Sequence, residues 1–300
     1  MKLGTNGGNG PTALLFALLM PAIIAVSSVC AADLDEIMQR GVLRHIGVPY
    51  ANFVTGAGDG MDVDLAREFA RYLGVRYEYV PAEWGTVVQD LIGKKVRVKG
   101  SDVEFMEDAP VRGDMIANGF TVLPWREKAV NFSLPTFPSQ IWLIARSDSD
   151  VRPIRPTGVI ERDIEKTRAL LKGRSVLTLE KTCLDPTLYD LAATGADVIL
   201  FKGNLNELAP AVINNTAEMT ILDVPDALIA MEKWPGKIKI IGPISNKQVM
   251  GAAFPQNTPK LLKAYNRFLK KAKRDGLYMK IVNTYYPSVK RYFPAFFKGK

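Results

Sequence analysis

Histidine is almost missing from these 300 residues: His45 stands alone, beside only two cysteines, Cys30 and Cys183. One imidazole excludes a multi-histidine metal site and leaves a Ser-His-Asp triad without support. Two thiols exclude a disulfide framework and a four-cysteine zinc site. No Walker A sequence is present. Lys and Arg total 39 against 31 Asp and Glu, a formal charge of +8, but the cations are spread along the chain. No element concentrates them into a nucleic-acid-binding stripe, so no nucleic-acid partner is expected. No segment after the N-terminal region has 18 apolar residues in a row, as a membrane-spanning helix requires. What is present, 47% hydrophobic and 23% charged, reads as ordinary globular protein, long enough for one large domain or two ordinary ones.

The N-terminal region reads as an address. Lys2 is the only charged residue before Asp33, and the apolar run Ala13–Val26, interrupted by Pro21, ends in small residues at Ala31-Ala32. A positive start, a short apolar centre and a small-residue end predict a secretory signal peptide over 1–32. Ser27-Ser28-Val29 before Cys30 is a poor lipobox, so cleavage beyond Cys30 is preferred to lipid anchoring there. The expected compartment is the periplasm.

From residue 33 the pattern alternates. Strands are predicted at Val42–Val48, Val75–Val80, Asp114–Ala117, Ser139–Ala145, Ser175–Leu179, Asp197–Phe201, Glu218–Leu222, Ile238–Ile241 and Val249–Phe254. Helices are predicted at Asp62–Leu73, capped by Asp62 and stopped by Gly74, and at Trp84–Ile92, Pro186–Ala193, Asn206–Ile213, Pro225–Glu232 and Pro259–Arg274. Alternation at this spacing predicts parallel sheets covered by helices. Two stretches break it. Val96–Val111 is polar and charged without helical period, and Asp148–Thr157 resembles a connection between lobes.

Most motifs are negative. In Gly56-Ala57-Gly58-Asp59-Gly60-Met61, Met61 stands where a dinucleotide fingerprint needs its last glycine. Asp59, Asp62 and Asp64 lack the alternation and closing Glu of a calcium loop, so no metal is expected. His45, inside an apolar strand, reads as structural. Cys183 lies near a helix start, where the dipole lowers a thiol pKa, but no histidine accompanies it in sequence. The informative segment is Gly113–Pro135, GDMIANGFTVLPWREKAVNFSLP. There Gly119 permits close backbone approach, Thr121 offers a hydroxyl near a strand end, and Arg126 can grip a carboxylate bidentately.

Asp114, Gly119, Thr121, Arg126, Val130, Phe132, Ser133 and Pro135 resemble the signature of the family-3 extracellular solute-binding proteins of polar amino-acid ABC importers. Gly60-Met61-Asp62-Val63-Asp64-Leu65-Ala66, Leu73-Gly74-Val75, Trp84, Thr216–Met219, Asp223-Val224-Pro225 and Asp275-Gly276 extend the likeness along nearly the whole chain. The resemblance implies an α/β fold of two Rossmann-like lobes joined by two hinge strands, crossing near Gln140–Ile144 and returning near Val249–Ala253. Residues 33–139 and 250–300 would form the first lobe and 140–249 the second. It implies that Arg126 and Thr121 hold a ligand carboxylate, that the Gly119 backbone and Asp223 take an ammonium, and that Trp84 packs against the ligand. The competing reading of Asp223 is a cap on the helix after it.

The sequence also departs from the family. Leu123 replaces a second Thr, Pro135-Thr136-Phe137 replaces Pro-Tyr, and Val96–Val111 is inserted. Lys181-Thr182-Cys183 stands where a Gly-Thr/Ser turn supplies N–H groups, a role Thr182 can keep. The first loop, Pro49–Phe53, is short, and Tyr50 is either a pocket wall or core. Three functions follow in order. The first is a monomeric receptor, without cofactor, that delivers a small zwitterion or carboxylate to an ABC permease. The second is a sensor or accessory protein on the same fold. The third is an enzyme resembling the cyclohexadienyl dehydratases, disfavoured because no second acid is assigned to the pocket.

Overall fold

The computed structural model describes residues 31–298, with Met1 and Gly4; the expected leader and Cys30 lie almost wholly outside the described residues. Strands β1 (Val42–Gly47) and β2 (Arg76–Pro81) precede a hairpin of β3 (Lys94–Lys99) and β4 (Asp102–Asp108), then β5 (Met115–Ile116) and β6 (Val130–Phe132). Next come β7 (Phe137–Ser139), β8 (Ile141–Arg146), β9 (Ser175–Thr178), β10 (Asp197–Leu200), β11 (Met219–Asp223) and β12 (Ile238–Pro243), and finally β13 (Gln248–Met250) and β14 (Ala253–Pro255).

These strands make two five-stranded sheets, ordered β2-β1-β5-β14-β6 and β10-β9-β11-β8-β12. Each forms the centre of one lobe. The chain leaves the first sheet through β7 and returns through β13, and these two strands pair with each other in antiparallel register, Pro138 opposite Val249. That double crossing reverses strand direction. The β1 neighbours β2 and β5 are parallel, as the alternation predicts, but β14 runs antiparallel to β5 and β6, and β8 antiparallel to β11 and β12. The sheets are therefore mixed.

Helix faces follow the 3.6-residue period. Met61–Leu73 buries Leu65, Ala66 and Phe69, and Pro259–Arg274 buries Leu261, Tyr265, Phe268 and Leu269 while its lysines face outward. The two helices meet where Phe69 packs edge-on to Tyr265 with ring centres 5.0 Å apart.

Several expectations need correction. Val96–Val111 contains most of a β-hairpin, in which Val96 and Val98 alternate with basic residues and cross-strand ion pairs such as Lys95–Glu107 (2.8 Å) tie the ladder; Gly100, at φ +62°, supplies the turn. Asp148–Thr157 does not connect the lobes: it stays within the second, where Ile154 N–H donates to Ile241 O. Pro186–Ala193 forms two short 3₁₀ turns rather than an α-helix. Asp62 does not cap its helix, because Gly60 occupies that position and makes no side-chain cap. The sequence reading passed over helices at Leu34–Arg40, Pro124–Ala129 and Leu277–Tyr285.

Candidate functional site

The short helix Pro124–Ala129 carries Arg126 inward, leaving it 2% exposed. Its guanidinium lies 3.9 Å from the Phe120 ring centre, 5.3 Å from that of Trp125 and 5.9 Å from that of Trp84. Nη1 donates to Thr121 O at 2.9 Å, while Nε is buried without a partner. No carboxylate lies within ion-pairing distance of it among the described residues. Burial lowers its pKa to about 10, against opposing contributions from Cys183, Tyr189 and Tyr50. A buried cation lacking a counter-ion costs several kcal/mol, so the arrangement is suited to an arriving anion.

Beside it, Thr121 is held by an antiparallel bridge to Met250, and its buried hydroxyl also lacks a hydrogen-bond partner. Gly119 sits at φ +65°, and a Cβ there would run into the Phe53 ring. Its N–H donates to Asp62 Oδ2 at 2.6 Å. Asp62 thus anchors the loop before Thr121, and burial raises its pKa to about 7 despite that hydrogen bond.

The second lobe contributes Asp223, fully buried at the end of β11. The capping reading holds, since Oδ1 accepts from Asp226 N at 3.3 Å, while Oδ2 faces the first lobe. Tyr50 O–H crosses the junction to donate to Oδ2, and Cys183 Sγ lies 3.4 Å from the same oxygen. Burial raises the Asp223 pKa, and the hydrogen bonds from Tyr50, Asp226 N–H and Cys183 oppose it. No cation pairs with Asp223 among the described residues. Tyr50 is therefore neither purely wall nor purely core. It stacks on Phe53, with ring centres 5.7 Å apart, meets Trp84 edge-on at 5.6 Å, and joins the lobes through its hydroxyl.

Cys183, which the sequence does not favour as a nucleophile, is buried. Burial and then Asp223 push its thiol pKa well up, and the nearby Arg126 and Thr121 only partly oppose this. The Thr182 hydroxyl is already used locally, donating to Leu179 O at 2.8 Å and accepting from Leu184 N at 3.0 Å. At Lys181, held at φ +62°, the backbone N–H donates to Asp185. The glycine of the usual turn is replaced and its N–H is satisfied internally.

Two cavities of about 500 and 690 Å³ open between the lobes, and Trp84 and Thr182 line both. Neither is lined by Arg126, Thr121, Gly119, Tyr50 or Asp223. The polar cluster is sealed behind Trp84, with the lobes in contact. Phe120, Trp125, the anchoring role of Asp62 and the position of Cys183 escaped the sequence reading. Phe120 and Trp125 flank Arg126 within the informative segment, and that adjacency was the available signal. Among the described residues no group of three or more metal-ligating side chains exists, and no helix is long and apolar enough to cross a membrane.

The profile of the bacterial extracellular solute-binding proteins, family 3, matches residues 109–288. Membrane-bound lytic murein transglycosylase F of Desulfosudis oleivorans is 29% identical over 233 residues, covering 77% of this chain but only 44% of that protein. L-cystine-binding protein TcyJ of Escherichia coli is 23% identical over 276 residues, covering 89% of this chain and 92% of that one. Among solved structures, a mutant of the arginine-binding protein ArgBP from T. maritima superposes with a TM-score of 0.66 at 25% identity, covering 85% of this chain and 99% of the other. With more than half of its length matched by the profile, the chain belongs to the bacterial extracellular solute-binding proteins, family 3.

Proposed function

We propose that this protein is a periplasmic receptor that captures a small carboxylate or zwitterion between its lobes and delivers it to an ABC permease. The observation that carries the reading is the buried Arg126, without a counter-ion and with Nε unpaired, at a lobe junction whose other side presents Asp223, hydrogen-bonded by Tyr50, Cys183 and the Asp226 N–H but likewise without a cation among the described residues. An α-carboxylate on Arg126 and Thr121, with an α-ammonium at Asp223 and the Gly119 backbone, would neutralise both charges. Trp84 packs over the guest, and Thr182 sits at the mouth. Residues 33–139 with 250–300 move against 140–249, and Tyr50 must release Asp223 as they part. Closure then excludes water and strengthens each charged contact. Family membership supports this reading, as does the name of the cystine-binding relative.

Titration calorimetry of the purified protein against the amino acids and small organic acids tests it. One ligand per chain is the expected result. Silence across both sets would remove the receptor reading.

A further inference from the structure

The β3–β4 hairpin belongs to neither five-stranded sheet. It leans on the Pro124–Ala129 helix through Lys128 Nζ, 3.0 Å from Asp102 Oδ1. One side of it walls the 500 Å³ cavity with Val96, Val98 and Met106. The floor is Trp84 and Trp125, and the second lobe closes the far side with Leu188 and Thr182. The same two indoles lie beside the Arg126 guanidinium, so the cavity stands one aromatic ring away from the cationic head-group position. Lys181 and Arg97 lie among the lining residues. The volume falls within the range of sites that hold drug-sized ligands, far above what an alanine side chain fills. Two indoles with a thioether and four valines or leucines form a surface for a flat aromatic group.

We propose that the hairpin pocket is a subsite for the aromatic substituent of an extended carboxylate ligand whose charged head is held at Arg126. The inference rests on the head-group reading above. It names the ligand class as aryl carboxylates and aryl amino acids rather than small polar amino acids, and it makes the hairpin the specificity element. Lobe closure brings the Leu188 side against the hairpin side, so the ring and the head group are enclosed in one movement.

Calorimetry with four probes tests it: L-tryptophan, 3-phenylpropionate, L-alanine and N-acetyltryptophanamide, which has the ring without the carboxylate. The aryl carboxylates are expected to bind about tenfold or more tighter than alanine, the scale of a buried apolar group. Val98 and Met106 are 38% and 36% exposed, so Val98→Asp with Met106→Asp leaves the core intact, which a melting curve verifies. That double variant should erase the aryl preference and leave alanine binding unchanged. Equal affinity for aryl and small ligands, or a preference that survives the double variant, would overturn the subsite. Tryptophan and N-acetyltryptophanamide binding alike, both lost in the double variant and both indifferent to Arg126→Ala, would uphold the subsite and overturn the head-group reading. Binding of none of the four overturns the subsite, and the wider amino-acid and organic-acid screen then decides the head-group reading separately.

Discussion

Asp114 and Arg126 are both buried in the first lobe, close in sequence, and surrounded in opposite ways. Asp114 accepts from Arg40 Nη2 at 2.5 Å, from Arg44 Nη2 at 3.0 Å and from Arg44 N at 2.7 Å. It ties β1 to the start of β5 and leaves its charge fully answered. Arg126 has three aromatic rings and one carbonyl, with Nε unpaired. The family signature contains both residues, yet only one is arranged as though it awaits a partner. A buried ion answered by its own chain does structural work; one left unanswered at a lobe junction is the basis of the binding site proposed above.

Substitution is the direct way to break that comparison. Arg126→Met should weaken carboxylate binding by about 2–5 kcal/mol, because the ligand's charge is desolvated without its counter-charge. The same change should leave the melting temperature of the free protein unchanged or higher, since a costly buried cation is replaced by an apolar chain of similar length. Asp114→Ala should do the reverse. It removes three hydrogen bonds from a buried node and should cost about 3 kcal/mol in urea unfolding, with ligand affinity unchanged under conditions where the variant is folded. If Arg126→Met destabilises the free protein as much as Asp114→Ala does, the distinction between the two residues disappears.

Most strands and the long helices were legible because burial follows simple periods, whereas the two lobes were implied by the family resemblance. The Leu65–Phe69 and Tyr265–Leu269 stripes mark core faces whatever surrounds them. Arg126, Thr121 and Asp223 were named in advance by resemblance, since a lone Arg in a sequence carries no sign of its burial. The hairpin was illegible for a physical reason. Its strands are stabilised by cross-strand ion pairs and a two-residue turn rather than by a buried face, so the run of charges masks the alternation of Val96 and Val98. Asp62 was misread because capping is the commonest use of an aspartate at a helix start. Its actual partner, the Gly119 N–H, lies far along the chain and is brought there only by the sheet.

Asp62 also gives a subtler difference between structural and site-forming carboxylates, readable through pH. Its folded pKa is raised to about 7 by burial from an ordinary value of 3.8. In the folded protein it therefore keeps a proton that the unfolded chain has already released, and its contribution to stability falls as pH rises from about 4 to about 7. Asp62→Asn keeps an acceptor for the Gly119 N–H and cannot titrate, but it adds an amide N–H₂ to a buried position. The wild type should be the more stable protein near pH 4, and its advantage should shrink or reverse by pH 7, with a total change of at most a few kcal/mol. His45 slopes the other way: its pKa is lowered to about 4 by burial, so its contribution is lost as pH falls from about 6.5 to about 4. Because His45 is common to both proteins, it cancels in the difference between their denaturation midpoints at each pH. A difference that stays flat between pH 4 and pH 7 would mean that Asp62 is ionised in the folded protein. The Gly119 N–H would then donate to a charged carboxylate, and the Thr121 loop would be anchored by an ion in the same way that β1 is anchored by Asp114.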